Sequence, residues 1–250
     1  MAGFKAAFIN EIEKLYKKKK VLVAAAVSLA FIIFGQLAVI CLRNGFGVRG
    51  VSSSEFPILV LSVVVNSILP LFTALVAIDS FSGEYSQNTM KISLTRPLTR
   101  LQLFSSKIAA IMVFILINLL FVMIFSCVTG FIFNSNHFTV QAGVKILVSY
   151  MVTLMPMLVL TLIIVLFSNI LRSGIAVFFL SVLVFIGFKA IELIFSSYSG
   201  IIFTSLMNWY KLWIMNDIAY LKIFRQFMLM VSYVILLFTG GYYLFDKREL

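Results

Sequence analysis

Six apolar runs, each about as long as a bilayer is thick, leave this chain few ways to fold. They cover residues 21–42, 56–78, 108–133, 146–167, 174–195 and 227–245. A helix needs about 20 mostly apolar residues to cross roughly 30 Å of hydrocarbon. Only a helix or a closed barrel satisfies its own backbone there. Barrel strands are short and alternate in polarity, whereas these runs are long and continuous. The expectation is an all-α integral membrane protein, a single transmembrane domain over 1–250 with six transmembrane helices. Composition supports this: 62% of the 250 residues are hydrophobic, 26 are Phe, and only 12% are charged. Soluble domains carry about 25% charged residues. A soluble enzyme, a disordered chain and a nucleic-acid-binding domain in water are thereby excluded.

The charges that remain are lopsided, 20 Lys+Arg against 9 Asp+Glu, a net +11. With six spans, both termini share a side with 79–107 and the short connection at Arg172, and that side holds thirteen of the cations. The opposite side holds six, Arg43, Arg49, Lys145, Lys211, Lys222 and Arg225, and Lys189 lies inside the fifth span. The positive-inside rule then places both termini in the cytoplasm of a multi-pass plasma-membrane protein. The first run is longer than a signal-peptide core, so no cleavable leader is expected. Cys41 and Cys127 fall in different spans and read as apolar packing rather than a disulfide or metal pair.

Three segments are not simple spans. In 1–20, Phe4, Phe8, Ile12 and Leu15 recur at helical spacing, with Asn10, Glu13, Lys14 and Lys17 opposite. This predicts an amphipathic elbow helix in the cytoplasmic interface, its apolar face in lipid and its lysines near anionic headgroups. The segment 79–107 is long for a bundle connection, and long ordered loops are usually functional. Gly83 and Asn88 read as turns, Pro97 breaks any helix near Arg96, and Thr99 with Gln102 fits a capping box that starts a helix into the third span. The outer segment 196–226, with Trp209, Trp213 and Tyr210, holds apolar pieces too short to span and suits re-entrant or interfacial helices.

The string Asp79, Gly83-Glu84, Asn88-Thr89, Leu94-Thr95-Arg96-Pro97-Leu98-Thr99-Arg100 and Lys107 resembles the permease subunits of ABC-2-type transporters. Asn88 stands where that family commonly has Gly. The elbow helix, the six spans, the long outer segment and the basic tail resemble the same family, so the likeness covers essentially the whole chain. It implies an ABC-2 exporter-like (type V) architecture in which 79–107 is a cytoplasmic coupling loop. Asp79, Gly83, Glu84, Asn88, Thr89, Arg96, Pro97, Arg100 and Lys107 would then dock an ATPase. It also implies two ABC ATPase subunits as partners, a second permease subunit (homodimer or heterodimer), and a re-entrant outer hairpin.

Within the spans the charged residues are Lys189 and Glu192, spaced to pair on one helical face. They read either as a polar lining or outer latch, or as a neutralised pair at the outer interface. Asn66 and Asn118 are the polar candidates for lining a pathway, with Pro70 and Pro156 nearby. The sequence has no Gly-x-x-x-x-Gly-Lys-(Ser/Thr) phosphate loop, no metal-ligand spacing and no hydrolase motif. No enzyme activity is expected of the chain itself. It would bind no cofactor, with ATP and Mg held by the partner ATPase. The leading function is a permease subunit exporting an amphipathic or hydrophobic cargo such as a peptide, antibiotic or lipid, in a role such as antimicrobial peptide resistance. The alternative is a non-transporting scaffold or immunity protein that sequesters a toxic peptide. A secondary carrier is disfavoured for want of mid-membrane carboxylates.

Overall fold

The computed structural model describes residues 2–46, 51–86, 99–134, 139–171, 173–195, 200–215, 217 and 219–247. It is all-helical, with no strand among the described residues. In chain order the helices are α1 (Ala2–Tyr16), α2 (Lys19–Phe46), α3 (Phe56–Asn66), α4 (Ile68–Ser80), α5 (Ser82–Ser86) and α6 (Arg100–Phe133). They continue as α7 (Val140–Val152), α8 (Leu154–Ile170), α9 (Gly174–Ile194), α10 (Phe203–Leu206), α11 (Lys211–Ile214) and α12 (Tyr220–Lys247). Five stretches are long and apolar enough to cross a membrane: α2, α6, α7 with α8, α9, and α12. The pair α3 and α4–α5, bent by 45° at a short break, makes a sixth when counted as one span.

Local chemistry sets the ends. The structure has the Thr99 capping box: the Gln102 N–H donates to Thr99 Oγ1 at 3.2 Å and the Thr99 N–H to Gln102 Oε1 at 3.3 Å. Two of the orphan donors at the head of α6 are thereby satisfied, and the helix starts at Arg100, ahead of its apolar run. Ser52 and Glu55 form a similar reciprocal pair before α3, and Pro57 sits in its first turn, where no N–H is needed. Single hydroxyls cap α7 (Thr139 to the Ala142 N–H) and α9 (Ser173 to the Ala176 N–H).

Two spans break in mid-course, which their apolar runs do not announce. Pro70 brings no N–H to the Asn66 carbonyl and its ring crowds that oxygen; the chain breaks at Ser67. Pro156 stands in the same relation to Val152, and the break falls at Thr153. Both spans enter from the same side, so the breaks lie at similar depth, 11 residues into the second span and 13 into the fourth.

The 34-residue α6 is the central post and packs on α1, α2, α3 and α8. The inner half of the fourth span, α8, packs on α12 and α4. Close approaches fix two of these seams. A Cβ on Gly130 would lie 3.0 Å from the Ser53 carbonyl, and one on Gly174 would lie 2.9 Å from Ile78 Cγ2. Large apolar side chains on α2, α9 and α12 face outward, among them Leu22, Phe34, Ile175, Leu183 and Leu221. Hydrocarbon tolerates such faces, since lipid is as apolar as they are. Cys41 and Cys127 are both free.

Helix α1 departs from its expected seating. The face expected in lipid is split: Ala7, Glu11 and Leu15 are buried, Phe8 and Ile12 are half-buried, and Phe4 and Ile9 are exposed. The buried stripe runs i, i+4, i+8 and packs on α6. Gly83, expected as a turn, lies inside α5. The last helix begins at Tyr220, ahead of the expected 227, and shortens the outer segment.

Candidate functional site

At the end of the bundle that carries both termini, four charged side chains from three helices close a ring. Lys14 Nζ lies 2.7 Å from Glu11 Oε1 and 3.0 Å from Glu84 Oε1. Lys107 Nζ lies 3.1 Å from Glu11 Oε2 and 2.8 Å from Glu84 Oε2. Each carboxylate therefore touches both ammonium groups, and each ammonium both carboxylates. The Lys107 side chain is wholly buried and that of Glu11 is 4% exposed, so their side of the ring is screened little, whereas Lys14 reaches the surface. Burial by itself raises the Glu11 carboxyl, but the Lys107 and Lys14 ammoniums outweigh it and hold the group below its ordinary value of 4.5. Burial likewise lowers Lys14, and Glu11 and Glu84 more than restore it, leaving it above 10.5.

An aromatic cluster lies beside the ring. Phe104 of α6 meets Phe81 at 5.7 Å between centroids, Phe245 at 5.4 Å and Phe238 at 5.3 Å. Tyr85 of α5 reaches Phe245 at 6.5 Å, and Lys107 Nζ sits 5.9 Å over the Phe81 ring. Ser82 Oγ donates to the Ser168 carbonyl at 3.3 Å, tying α5 to α8. Asp79 takes Lys20 at 2.8 Å and Lys18 at 3.6 Å. Arg100 donates to the Asp246 carbonyl and joins the head of α6 to the end of α12. The short helix α5 is thus fastened to α1, α6, α8 and α12.

These contacts show where the sequence candidates stand. Asp79, Glu84, Arg100 and Lys107 all engage other parts of the chain. Glu84 and Lys107 are buried and offer no charge directly to a partner. Asn88, Thr89, Arg96 and Pro97 lie outside the described residues. Sequence reasoning missed Glu11, although a signal existed: it is the one carboxylate on the apolar side of α1, between Ala7 and Leu15. Lys14, expected near anionic headgroups, is instead a half-buried member of the ring.

The outer end is pinned differently. Lys189 and Glu192 do pair, at 3.2 Å, and Glu192 Oε2 also accepts from Thr204 Oγ1 of α10 at 2.9 Å. Asn66 Nδ2, at the break of the second span, donates to Asn208 Oδ1 at 3.3 Å. Tyr233 of α12 donates to the Ile201 carbonyl, and Lys145 of α7 to the Ile214 carbonyl. Trp209 packs edge-on against Trp213 and stacks on Phe227. The outer segment is therefore held by four spans.

Beneath it, the bend opens a cavity of about 300 Å³. Asn66, Ser67 and Pro70 form its kinked wall; Leu160, Ile164, Ser181 and Phe185 face them from α8 and α9. Of the four pathway candidates Asn66 lines it, whereas Lys189, Glu192 and Asn118 do not. Asn118 is buried in α6.

Spans, elbow and charged node together carry the family pattern, and a comparison decides it. A family model described as ABC-2 family transporter protein matches residues 7–186. The chain belongs to the ABC-2 transporter family. It is a multi-pass membrane protein and a permease subunit of an ABC transporter, and its family works with ABC ATPases. The match takes in the elbow, the ring, both broken spans and most of α9; Lys189, Glu192, the outer segment and α12 lie beyond it. No curated protein matches this ABC-2 permease.

Proposed function

We propose that this permease exports an amphipathic or hydrophobic cargo, such as a peptide, antibiotic or lipid, driven by two ATPase subunits that dock on the segment 79–107. A second permease chain completes the pathway. Both termini are cytoplasmic in this reading, which the thirteen-to-six cation bias supports. The observation that carries the reading is the fastening of α5. A push on α5 reaches α1, α4, α6, α8 and α12 through direct contacts. A permease driven by separate ATPase subunits needs such a stiff receiver. The cavity supports the cargo class: it is walled by aliphatic and aromatic side chains, with Asn66 and two serines as its polar groups, and its volume is at the lower end of the roughly 300–1,000 Å³ usual for ligand pockets.

The test is purification from native membranes, followed by transport into inside-out vesicles. A P-loop ATPase is expected to co-purify, and a labelled amphipathic peptide to accumulate only with ATP. Arg96→Glu, on the docking segment, is expected to weaken ATPase recruitment. Reproducible absence of any ATPase would favour a scaffold that sequesters a toxic peptide. Uptake that ignores ATP but collapses with the proton gradient would favour a secondary carrier.

A further inference from the structure

We propose that α1 is a working part of the coupling element, with Glu11 as the residue that positions it. The ring of Glu11, Lys14, Glu84 and Lys107 makes the elbow, α5 and the head of α6 one rigid body. The inference rests on the permease reading above. It adds that a push on 79–107 moves the amino-terminal helix as well, and that transport is lost when the two are disconnected.

The argument is geometric. Helix α1 leads into α2 through a short turn at Lys17–Lys18. Its buried stripe is narrow, Ala7, Glu11 and Leu15, and the middle residue of that stripe is a carboxylate. An anchoring stripe needs only apolar side chains to stay seated. A carboxylate there demands partners, and it has two from different helices: Lys14 one turn on, and Lys107 of α6. Both partners are shared with Glu84 of α5. The elbow thus shares its buried charges with the segment that would receive the push. A second tie runs parallel, from Lys18 and Lys20 to Asp79 at the end of α4. This second tie joins the start of α2 to α4, the chain neighbours of α1 and α5, so the two helices are also held at their flanks.

Alternation around a closed ring gives a signature that separate ion pairs lack. Reversing the charges of any two members leaves at least two contacts between like charges. Reversing all four restores every attraction. An isolated pair would instead be rescued by its own two-residue swap.

The experiment uses the assembled transporter in proteoliposomes with two readouts. The first is the number of cargo molecules moved per ATP hydrolysed. The second is maleimide labelling of Ala7→Cys in a background with Cys41 and Cys127 replaced by Ala; Ala7 is buried, so the parent labels slowly. Glu11→Gln is expected to retain ATPase binding and ATP turnover. Cargo moved per ATP should fall at least about fivefold, the lower range of a site-to-site coupling, and position 7 should label about tenfold faster as the helix opens locally. Glu84→Lys with Lys107→Glu should also speed labelling at position 7 and lower the cargo moved per ATP, and the fourfold reversal should recover both readouts. Unchanged labelling in Glu11→Gln and in the two-residue reversal would overturn the proposal, because the ring would not be what seats α1. Faster labelling with normal transport per ATP would overturn it too, because α1 would not belong to the moving body. Failure of the parent protein to bind any ATPase would instead bring down the permease reading itself, a result visible before any variant is made.

Discussion

At the scale of single residues, the ring shows how context changes the worth of a charge. A surface ion pair contributes about 0–1 kcal/mol, but removing one member of a buried network costs about 3–5 kcal/mol because its partners stay buried. Lys107→Met, which leaves Glu11 and Glu84 facing one ammonium, is therefore expected to destabilise the protein by about that amount. Replacing all four members by Met should be milder than this single change, since a fully apolar version strands no charge. Thermal unfolding in detergent compares the two, and a quadruple variant weaker than the single one would refute the account. Acidity offers a second check. The folded state depresses the Glu11 carboxyl, so its contribution is present above 4.5 and drains away as the pH falls below it. The folded state raises Lys14, so that contribution is intact below 10.5 and lost only as the pH climbs through the raised value. Seating of α1, followed by labelling at position 7, should be flat between these limits, and the acid limb should vanish in Glu11→Gln. From sequence, Lys14 and Glu84 were legible as charges but not as partners. They are 70 residues apart, and nothing local says which carboxylate turns inward. The exception is Glu11, whose place on an apolar stripe was a readable anomaly.

At the scale of elements, length and apolarity announced an all-helical membrane protein, and the structure has five helices able to span, or six with the bent pair, while the breaks inside two of the apolar runs were hidden. Hydropathy windows average over the turn that Pro70 interrupts, because proline is not polar enough to register. What the window cannot see, backbone chemistry can: a missing N–H and a crowded carbonyl four residues earlier. Pro70→Ala restores that donor and is expected to straighten the second span. Amide exchange at 66–70 should slow, the cavity should narrow, and ATP-driven export should fall about fivefold or more if the cavity lies on the route. Faster exchange at 66–70 would show that the bend has another cause. The capping box at Thr99 was the opposite case. It is a short-range pattern with a fixed geometry, and the structure has it where the sequence put it. The elbow falls between the two: its helix was legible from periodicity, but not how its apolar face divides between α6 and the surroundings, because periodicity cannot tell protein from lipid.

For the molecule as a whole, the cation bias makes a prediction about sidedness. Lys5→Cys should react with an impermeant maleimide only after cells are permeabilised, and Thr139→Cys should react in intact cells. The reverse pattern would invert the topology and remove the docking segment from the ATPase side. The basic amino terminus, read from sequence as a patch for anionic lipid, is partly consumed inside the fold: Lys14, Lys18 and Lys20 meet carboxylates of α1, α4 and α5. Those charges add to the cation bias of that face while also assembling it. The ring has a further consequence, in the order of synthesis. Its members leave the ribosome as Glu11, Lys14, Glu84 and finally Lys107. The first helix emerges carrying a base for its own acid, but the buried base on which its seat depends is made 96 residues after Glu11. Until the third span begins to enter the bilayer, the amino terminus has nowhere to lock. A nascent chain halted at Ser106 should leave position 7 open to labelling, and one extended through the third span should close it, so the ring also records when the cytoplasmic half of the protein is complete.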